Sequence, residues 1–446
     1  MSEREEPRPG SDDSLAGGAQ GALGHQSVPP RKVLAWAMWD WGTQPFATVV
    51  TTFVFSVYLV SSVFGDNDEL SVQLSAVMAV SGVLIALLAP VLGQGSDRSG
   101  KRMFNLRWQT WLLAAVCAAM YFVAPEPQYF LLGAVLLGVG NIVAEIANVN
   151  YYASIDQVST PRNVGRVSGI GWGMGYLGGI VILLLIIAVR GAEFGPDDVR
   201  VAMLFCGGWT LLFTIPTFLS IRDKPRAKPA EKVGVLAAYR ELWFSLRRIY
   251  RTSPSTLHFL VASAIFRDGL AGVFLFGGVL AEGTFGFTFF EVVVFGVVAN
   301  VTAGVSTMAF GALDDKIGPK NVIIISLGSM VVLGLLIFFL HSHGTIVFWV
   351  CGLLLTLFVG PAQSASRSYL ARLIPAGKSG EVFGLYATTG RAVSFLSPMA
   401  FGGAITVAAF IGGPGKWQFA GILGIVVILL VGLLVLLPVK PDPAHR

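Results

Sequence analysis

The stretch Gly93-Gln94-Gly95-Ser96-Asp97-Arg98-Ser99-Gly100-Lys101-Arg102 recurs as Gly311-Ala312-Leu313-Asp314-Asp315-Lys316-Ile317-Gly318-Pro319-Lys320. Both copies read G-x-x-x-D-[RK]-x-G-x-[RK], and each joins the end of one long apolar run to the start of the next. Gly311 follows Gly93 by 218 positions, about half of the 446-residue chain. Such a duplication predicts two similar membrane-embedded halves, with both copies on one side of the bilayer. Gly93 and Gly100 would permit tight turns. Asp97 could face the N-terminus of a neighbouring helix, and the bases could meet acids or anionic headgroups. A single copy would read as a turn carrying topology charges. Two copies at equivalent places favour a latch built from Gly93, Asp97, Arg98, Gly100, Lys101 and Arg102, with Gly311, Asp315, Lys316, Gly318 and Lys320 in the other half.

The composition agrees: hydrophobic residues make up 54% and charged residues 13%, far too little charge for the surface of a soluble protein of this length. The net charge of +5 comes from bases lying between apolar runs, which fits topology and argues against nucleic acid. Cys117, Cys206 and Cys351 each fall inside an apolar run without CxxC spacing, so neither a disulfide framework nor a zinc site is expected. His341 and His343 lack further ligands nearby in sequence, and no metal or other cofactor is expected.

Twelve apolar runs are long enough to cross a bilayer as helices, near 34–62, 70–94, 106–124, 128–152, 164–189, 200–220, 256–281, 289–311, 321–341, 345–369, 381–410 and 417–437. Residues 1–32 read as a polar disordered tail, 33–221 and 256–438 as two six-helix bundles, and 439–446 as a second tail. Between the bundles, 222–255 reads as a linker. Its Val235–Tyr250 stretch alternates apolar and Arg faces at helical spacing, as in a helix lying on the membrane surface. Lys and Arg concentrate at the tails, the repeated loops and the linker, which places both termini in the cytoplasm and the chain in the plasma membrane if the source is bacterial.

Ionisable side chains inside apolar runs are costly and point to function. Asn141, Glu145, Asn148 and Tyr152 form a stripe on one face of the fourth run. The shift that superposes the repeated loops carries Glu145 onto Gln363 and Asn148 onto Ser366 in the tenth run, beside Arg367. Two halves would therefore present polar faces at equivalent depth, although a helix–helix contact within each half would use the same residues. Asp40 lies among Trp36, Trp39 and Trp41, which read as an interfacial belt. Arg267 and Asp268 are adjacent and point about 100° apart, so each needs its own partner. Arg391 in the eleventh run could pair with Asp268 or Asp40, or attract a carboxylate. Gly171, Gly175 and Gly179 form a small-xxx-small ladder suited to close helix packing.

Twelve spans in two halves, with this loop after the second and eighth, resemble the major facilitator superfamily over residues 33–438. Within it, Trp36–Trp41, Gly165–Tyr176, Gly360–Tyr369 and Gly384-Leu385-Tyr386 are similar to the autophagy-related vacuolar amino-acid effluxers and their bacterial relatives. The fifth span also partly resembles a glycine motif of facilitator antiporters, with Tyr176 where proline is expected. The resemblance implies an all-α fold of two pseudo-symmetric six-helix bundles, a cavity lined by spans 1, 4, 7 and 10, and secondary transport of a small solute, foremost amino-acid efflux. On that reading Asp40, Glu145 and Asp268 are candidates for gating or proton coupling. Asn141, Asn148, Tyr152, Arg267, Gln363, Ser366, Arg367 and Arg391 are candidates for the cavity. The expected partners are an amino acid, a proton and the lipid bilayer, with a monomer as the working unit. The alternatives are a carrier of lipid-like solutes or a non-transporting sensor. An enzyme ranks last, because no nucleophile–base pair or metal-ligand constellation is evident. The lack of a Walker A loop argues against ATP as the driving force of transport.

Overall fold

The structure is a computed structural model that describes residues 29–159, 164–190, 195–223, 235–373, 379–413 and 415–440. The expected tails, over 1–28 and 441–446, and the linker start at 224–234 lie outside the described residues.

Twelve helical rods run through the described residues, with a thirteenth helix between the sixth and seventh. In chain order they are α1 (Pro30–Pro45), continued by a widened helical stretch Phe46–Phe53 and by α2 (Phe55–Leu59), then α3 (Asn67–Ser99), α4 (Arg102–Ala119), α5 (Phe130–Ala153), α6 (Val164–Arg190) and α7 (Pro196–Ser220). The linker helix is α8 (Val235–Thr252). The second half holds α9 (Pro254–Gly283), α10 (Phe289–Ile317), α11 (Pro319–Phe339), α12 (Thr345–Val347) leading through Phe348–Gly352 into α13 (Leu353–Leu373), α14 (Ser379–Ala392), α15 (Leu396–Gly412) and α16 (Gly421–Leu436). Nine helices among the described residues are long and apolar enough on their own to cross a membrane. Of the other three rods, the first is interrupted after Pro45, the third carries Arg102 and Arg107, and the fifth has its apolar part at Ile170–Ile186.

Local chemistry sets the helix ends. Asp66 caps α3 by accepting from the amides of Asp68 and Glu69 at 3.0 and 3.2 Å. Thr288 and Glu291 form a reciprocal capping box at the start of α10. Pro45 brings no amide donor, and the helix beyond it widens over Phe46–Phe53.

The repeated motif is more helical than its glycines suggest. Gly93 and Gly311 lie inside α3 and α10. The turns fall at Gly100 (φ 68°) and Gly318 (φ 84°), where a Cβ would be strained. The last base of each copy reaches the C-terminal end of another helix. Arg102 donates to the carbonyl of Ala153 at 2.5 Å, and Lys320 Nζ donates to the carbonyls of Leu437 and Val439 at 2.7 Å. The side chains of Asp97, Arg98 and Asp315 lie outside the described residues. Lys101 and Lys316 are exposed.

In the first half α1 packs on α6 and α7, and α5 on α3 and α4. In the second α9 packs on α16, α13 on α10 and α11, and α15 on α16. The halves meet through α3 with α14 and α15, α6 with α10, and α9 with the widened stretch after α1. The end remote from α8 is tightly shut. Asp68 accepts from the amides of Trp417 and Gln418, the Gln418 side chain donates to Ser71 at 2.8 Å, and Asn67 donates to Glu282 at 3.3 Å. On α8, Trp243, Phe244 and Tyr250 are exposed beside Arg240, Arg247 and Arg251 while Ile249 is buried, so aromatic and basic side chains share its exposed face rather than dividing between two.

The tryptophan belt is a correction. Trp36 and Trp39 are each 1% exposed and sandwich Tyr151 at ring separations of 4.4 and 4.3 Å. Their indole N–H groups donate to Ser154 and Thr110, both at 2.9 Å. Packing against α4 and α5 claims them because each indole finds a buried hydroxyl partner.

Candidate functional site

Asn141, Glu145, Asn148 and Tyr152 are all half-buried on one face of α5, while Val143, Ile146, Ala147 and Asn150 turn into the bundle. Asn148 donates to Glu145 at 3.3 Å. The other carboxylate oxygen of Glu145 meets Arg391 Nη1 at 3.0 Å, and Arg391 also donates to the Glu145 backbone carbonyl. This bridge joins α5 of the first half to α14 of the second. Arg391 therefore takes neither of the partners considered from sequence, Asp268 or Asp40. The tertiary fold decides the matter: α14 packs on α3 and α9, and from there the long Arg391 side chain reaches Glu145.

Tyr152 lies within electrostatic reach of Asp40, Glu145, Arg367 and Arg391, so these groups form one cluster at the junction of the halves. Arg367 of α13 lies over the Trp172 ring of α6 at 4.9 Å, a second contact between halves. Asp40 is half-buried and faces α6, where only glycine fits: a Cβ on Gly171 would stand 2.9 Å from the Asp40 carboxylate and 2.8 Å from Trp36. Gly175 and Gly179 similarly admit Gln44 and Thr48, which accounts for the glycine ladder as packing.

The other candidates are held by contacts of their own or are half-buried. Ser366 is fully buried and hydrogen-bonded to the Tyr386 hydroxyl at 2.7 Å, so the expected match of Asn148 with Ser366 does not give two exposed polar groups. Gln363 is half-buried. Arg267 stacks on the Tyr386 ring at 4.0 Å and donates to its carbonyl at 2.9 Å. Asp268 is 4% exposed and accepts from the Ser397 amide at 2.6 Å, while Ser397 Oγ donates to the Asp268 carbonyl at 2.8 Å.

Sequence reasoning missed Tyr151 as the plate between two indoles, and Tyr386 and Trp172 as platforms for arginines. The last two stood inside the family-like stretches but carried no charge to single them out. It also missed Asp223, which accepts from the amides of Met103 and Phe104 at 2.7 and 3.1 Å. A separate apolar cavity of about 30 Å³ lies in the second half, lined by Phe274, Phe295, Phe348, Leu355 and Ile425 and closed by Phe53 of the first. Among the described residues no cluster suited to a metal ion occurs.

Two helical halves joined by a polar, charge-paired interface within apolar rods define an integral multi-pass membrane transporter with the major facilitator fold. The fold matches that of a D-xylose–proton symporter, with a TM-score of 0.67 at 14% identity over 94% of this chain and all of that one. The nucleoside transporter NupG gives 0.58 at 13% over 93% of this chain and all of that one. The first half matches the Major Facilitator Superfamily profile over residues 3–183. The chain belongs to the vacuole effluxer Atg22-like family, whose profile matches residues 153–444. It is 25% identical to an uncharacterised transporter of the facilitator type from Bacillus subtilis, YxiO, over 90% of this chain and 93% of that protein. It is 24% identical to autophagy-related protein 22 of Kluyveromyces lactis, over 66% of this chain but only 63% of the fungal one.

Proposed function

We propose that this chain is a secondary transporter that exports a small zwitterionic solute, foremost an amino acid, by alternating access. The observation that carries the reading is the Glu145–Arg391 bridge. It joins the two halves, and its partners are partly open, at 34% and 13% side-chain exposure. Separating the halves there would strand two opposite charges in a low-dielectric setting, which is costly. A molecule bearing carboxylate and ammonium on neighbouring atoms can replace the bridge charge for charge, its carboxylate on Arg391 and its ammonium on Glu145. Asn148 and Tyr152 border that position, and Arg367 supplies a further cation. Asp40, held against the glycine ladder of α6, is the coupling-proton candidate. Asp268 is assigned a structural part instead.

Family membership supports efflux, and the resemblance of the Gly360–Tyr369 and Gly384–Tyr386 stretches implies neutral amino acids. Residues 33–221 and 256–438 act as the two rocking units, with both termini and α8 on the cytoplasmic side, as the distribution of bases favours. The apolar cavity beside Phe53, at about 30 Å³, is too small to receive the tail of an amphipathic cargo.

The test is flux in proteoliposomes loaded with labelled amino acids, with and without a proton gradient. Saturable flux lost in Arg391→Gln supports the reading. Absence of flux for every amino acid, from protein shown to be folded and inserted, rejects it.

A further inference from the structure

The adjacent charges Arg267 and Asp268 each hold a different piece of the same span. The eleventh rod is broken: α14 ends at Ala392, residues 393–395 form tight turns, and α15 begins at Leu396. Within the break, Ser394 N donates to Arg391 O and Leu396 N to Val393 O, three-residue contacts in place of the helical four. Ser397, in the first turn of α15, has its amide freed by this break. In a membrane interior an unsatisfied amide is costly, and the Asp268 carboxylate takes it. Ser397 returns a second bond to the Asp268 carbonyl, and the absence of a side chain on Gly272 leaves room for it.

Arg267 points about 100° away from Asp268 around α9 and so reaches the other piece. It stacks on Tyr386 and bonds its carbonyl, with Gly390 close against the guanidinium. The other half of the molecule leans on the break itself. A Cβ on Gly82 of α3 would lie 2.7 Å from the Phe395 amide, and Ser394 Oγ donates to the Gly82 carbonyl at 3.4 Å. Arg391, which bridges to Glu145, stands two residues before the break.

We infer that Arg267 and Asp268 are positioning residues that bracket a two-piece eleventh span, and that residues 393–395 are the pivot on which α14, carrying Arg391, moves relative to α15. The inference rests on the transporter reading for its purpose but not for its test. Hydrogen–deuterium exchange of the full chain in detergent reads each piece separately. Asp268→Ala is expected to speed exchange of residues 396–399 about tenfold and leave 385–392 unchanged, because a charge-assisted acceptor is lost from one piece only. Asp268→Asn keeps an acceptor oxygen and is expected to stay near wild type. Arg267→Ala is expected to loosen 385–392 and leave 396–399 unchanged. Paired spin labels at Ala392→Cys and Val407→Cys, both exposed positions, are expected to give a broader distance distribution in the Asp268→Ala background. Equal loosening of both pieces by either alanine variant, or an unaltered label distance, would show the span to be one rigid unit and overturn the inference. Since no substrate enters these measurements, failure of the amino-acid assignment would leave the pivot standing or falling on its own result.

Discussion

Removing either partner of the Glu145–Arg391 bridge tests both the interface and the cargo. Unit charges at the observed 3.0 Å attract by about 5 kcal/mol at an effective dielectric of about 20. Glu145 is 34% exposed, and holding both charges out of bulk solvent offsets much of that attraction, which leaves a coupling of about 1–3 kcal/mol. That range corresponds to about 5- to 150-fold in an equilibrium constant. Glu145→Gln, Arg391→Gln and the double variant complete a thermodynamic cycle. The assays are the thermal unfolding midpoint in detergent and the apparent KM for the best amino acid in proteoliposomes. Each single variant is expected to lose stability, since it leaves an unpaired charge between the halves. The double variant is expected to be no worse than the poorer single one. For KM, both single variants are expected to raise it because each removes one of the two charges offered to a zwitterion. Additive losses within about 0.3–0.5 kcal/mol would mean that the pair does not interact, and the reasoning from the bridge would fail.

Three further outcomes follow from the packing. Gly171→Leu drives a side chain into Trp36 and the Asp40 carboxylate, so it is expected to cost about 1–3 kcal/mol by overpacking; an unchanged melting midpoint would refute the close approach of α1 and α6. Asp68→Ala removes the acceptor shared by the Trp417 and Gln418 amides, so a thiol placed by Ser71→Cys is expected to react faster with a maleimide, and an unchanged rate would show that Asp68 does not hold that end shut. The native Cys117, Cys206 and Cys351 are buried, so the background reaction is small. Tyr386→Phe loses the bond to Ser366 but keeps the ring beneath Arg267, at a cost of about 1 kcal/mol, whereas Tyr386→Ala loses both; equal losses in the two variants would dismiss the stacking.

The sequence by itself determined the class of this protein. Apolar runs about 20 residues long must be helices in lipid, because no other partner satisfies their backbone groups. The repeat of the charged motif divided the chain into halves, and the i, i+4, i+7 spacing put Asn141, Glu145 and Asn148 on one face. Those are periodic, local properties. Partner choice is not, and there the tertiary structure decided. Asp268, a coupling candidate by its place in an apolar run, accepts from the freed amide of Ser397, a partner that its own neighbourhood does not name. The break that frees that amide was hinted at only by Ser397-Pro398 inside an apolar run, a pair equally common where a helix starts. Trp36 and Trp39 looked interfacial by position, yet the fold placed Tyr151 between them. Arg391 had two prospective carboxylates, Asp268 and Asp40, and takes neither. Only the fold, which brings the Arg391 side chain to 3.0 Å from Glu145, selected that partner, because a charge interaction falls off with distance and distance between helices is not written in either one.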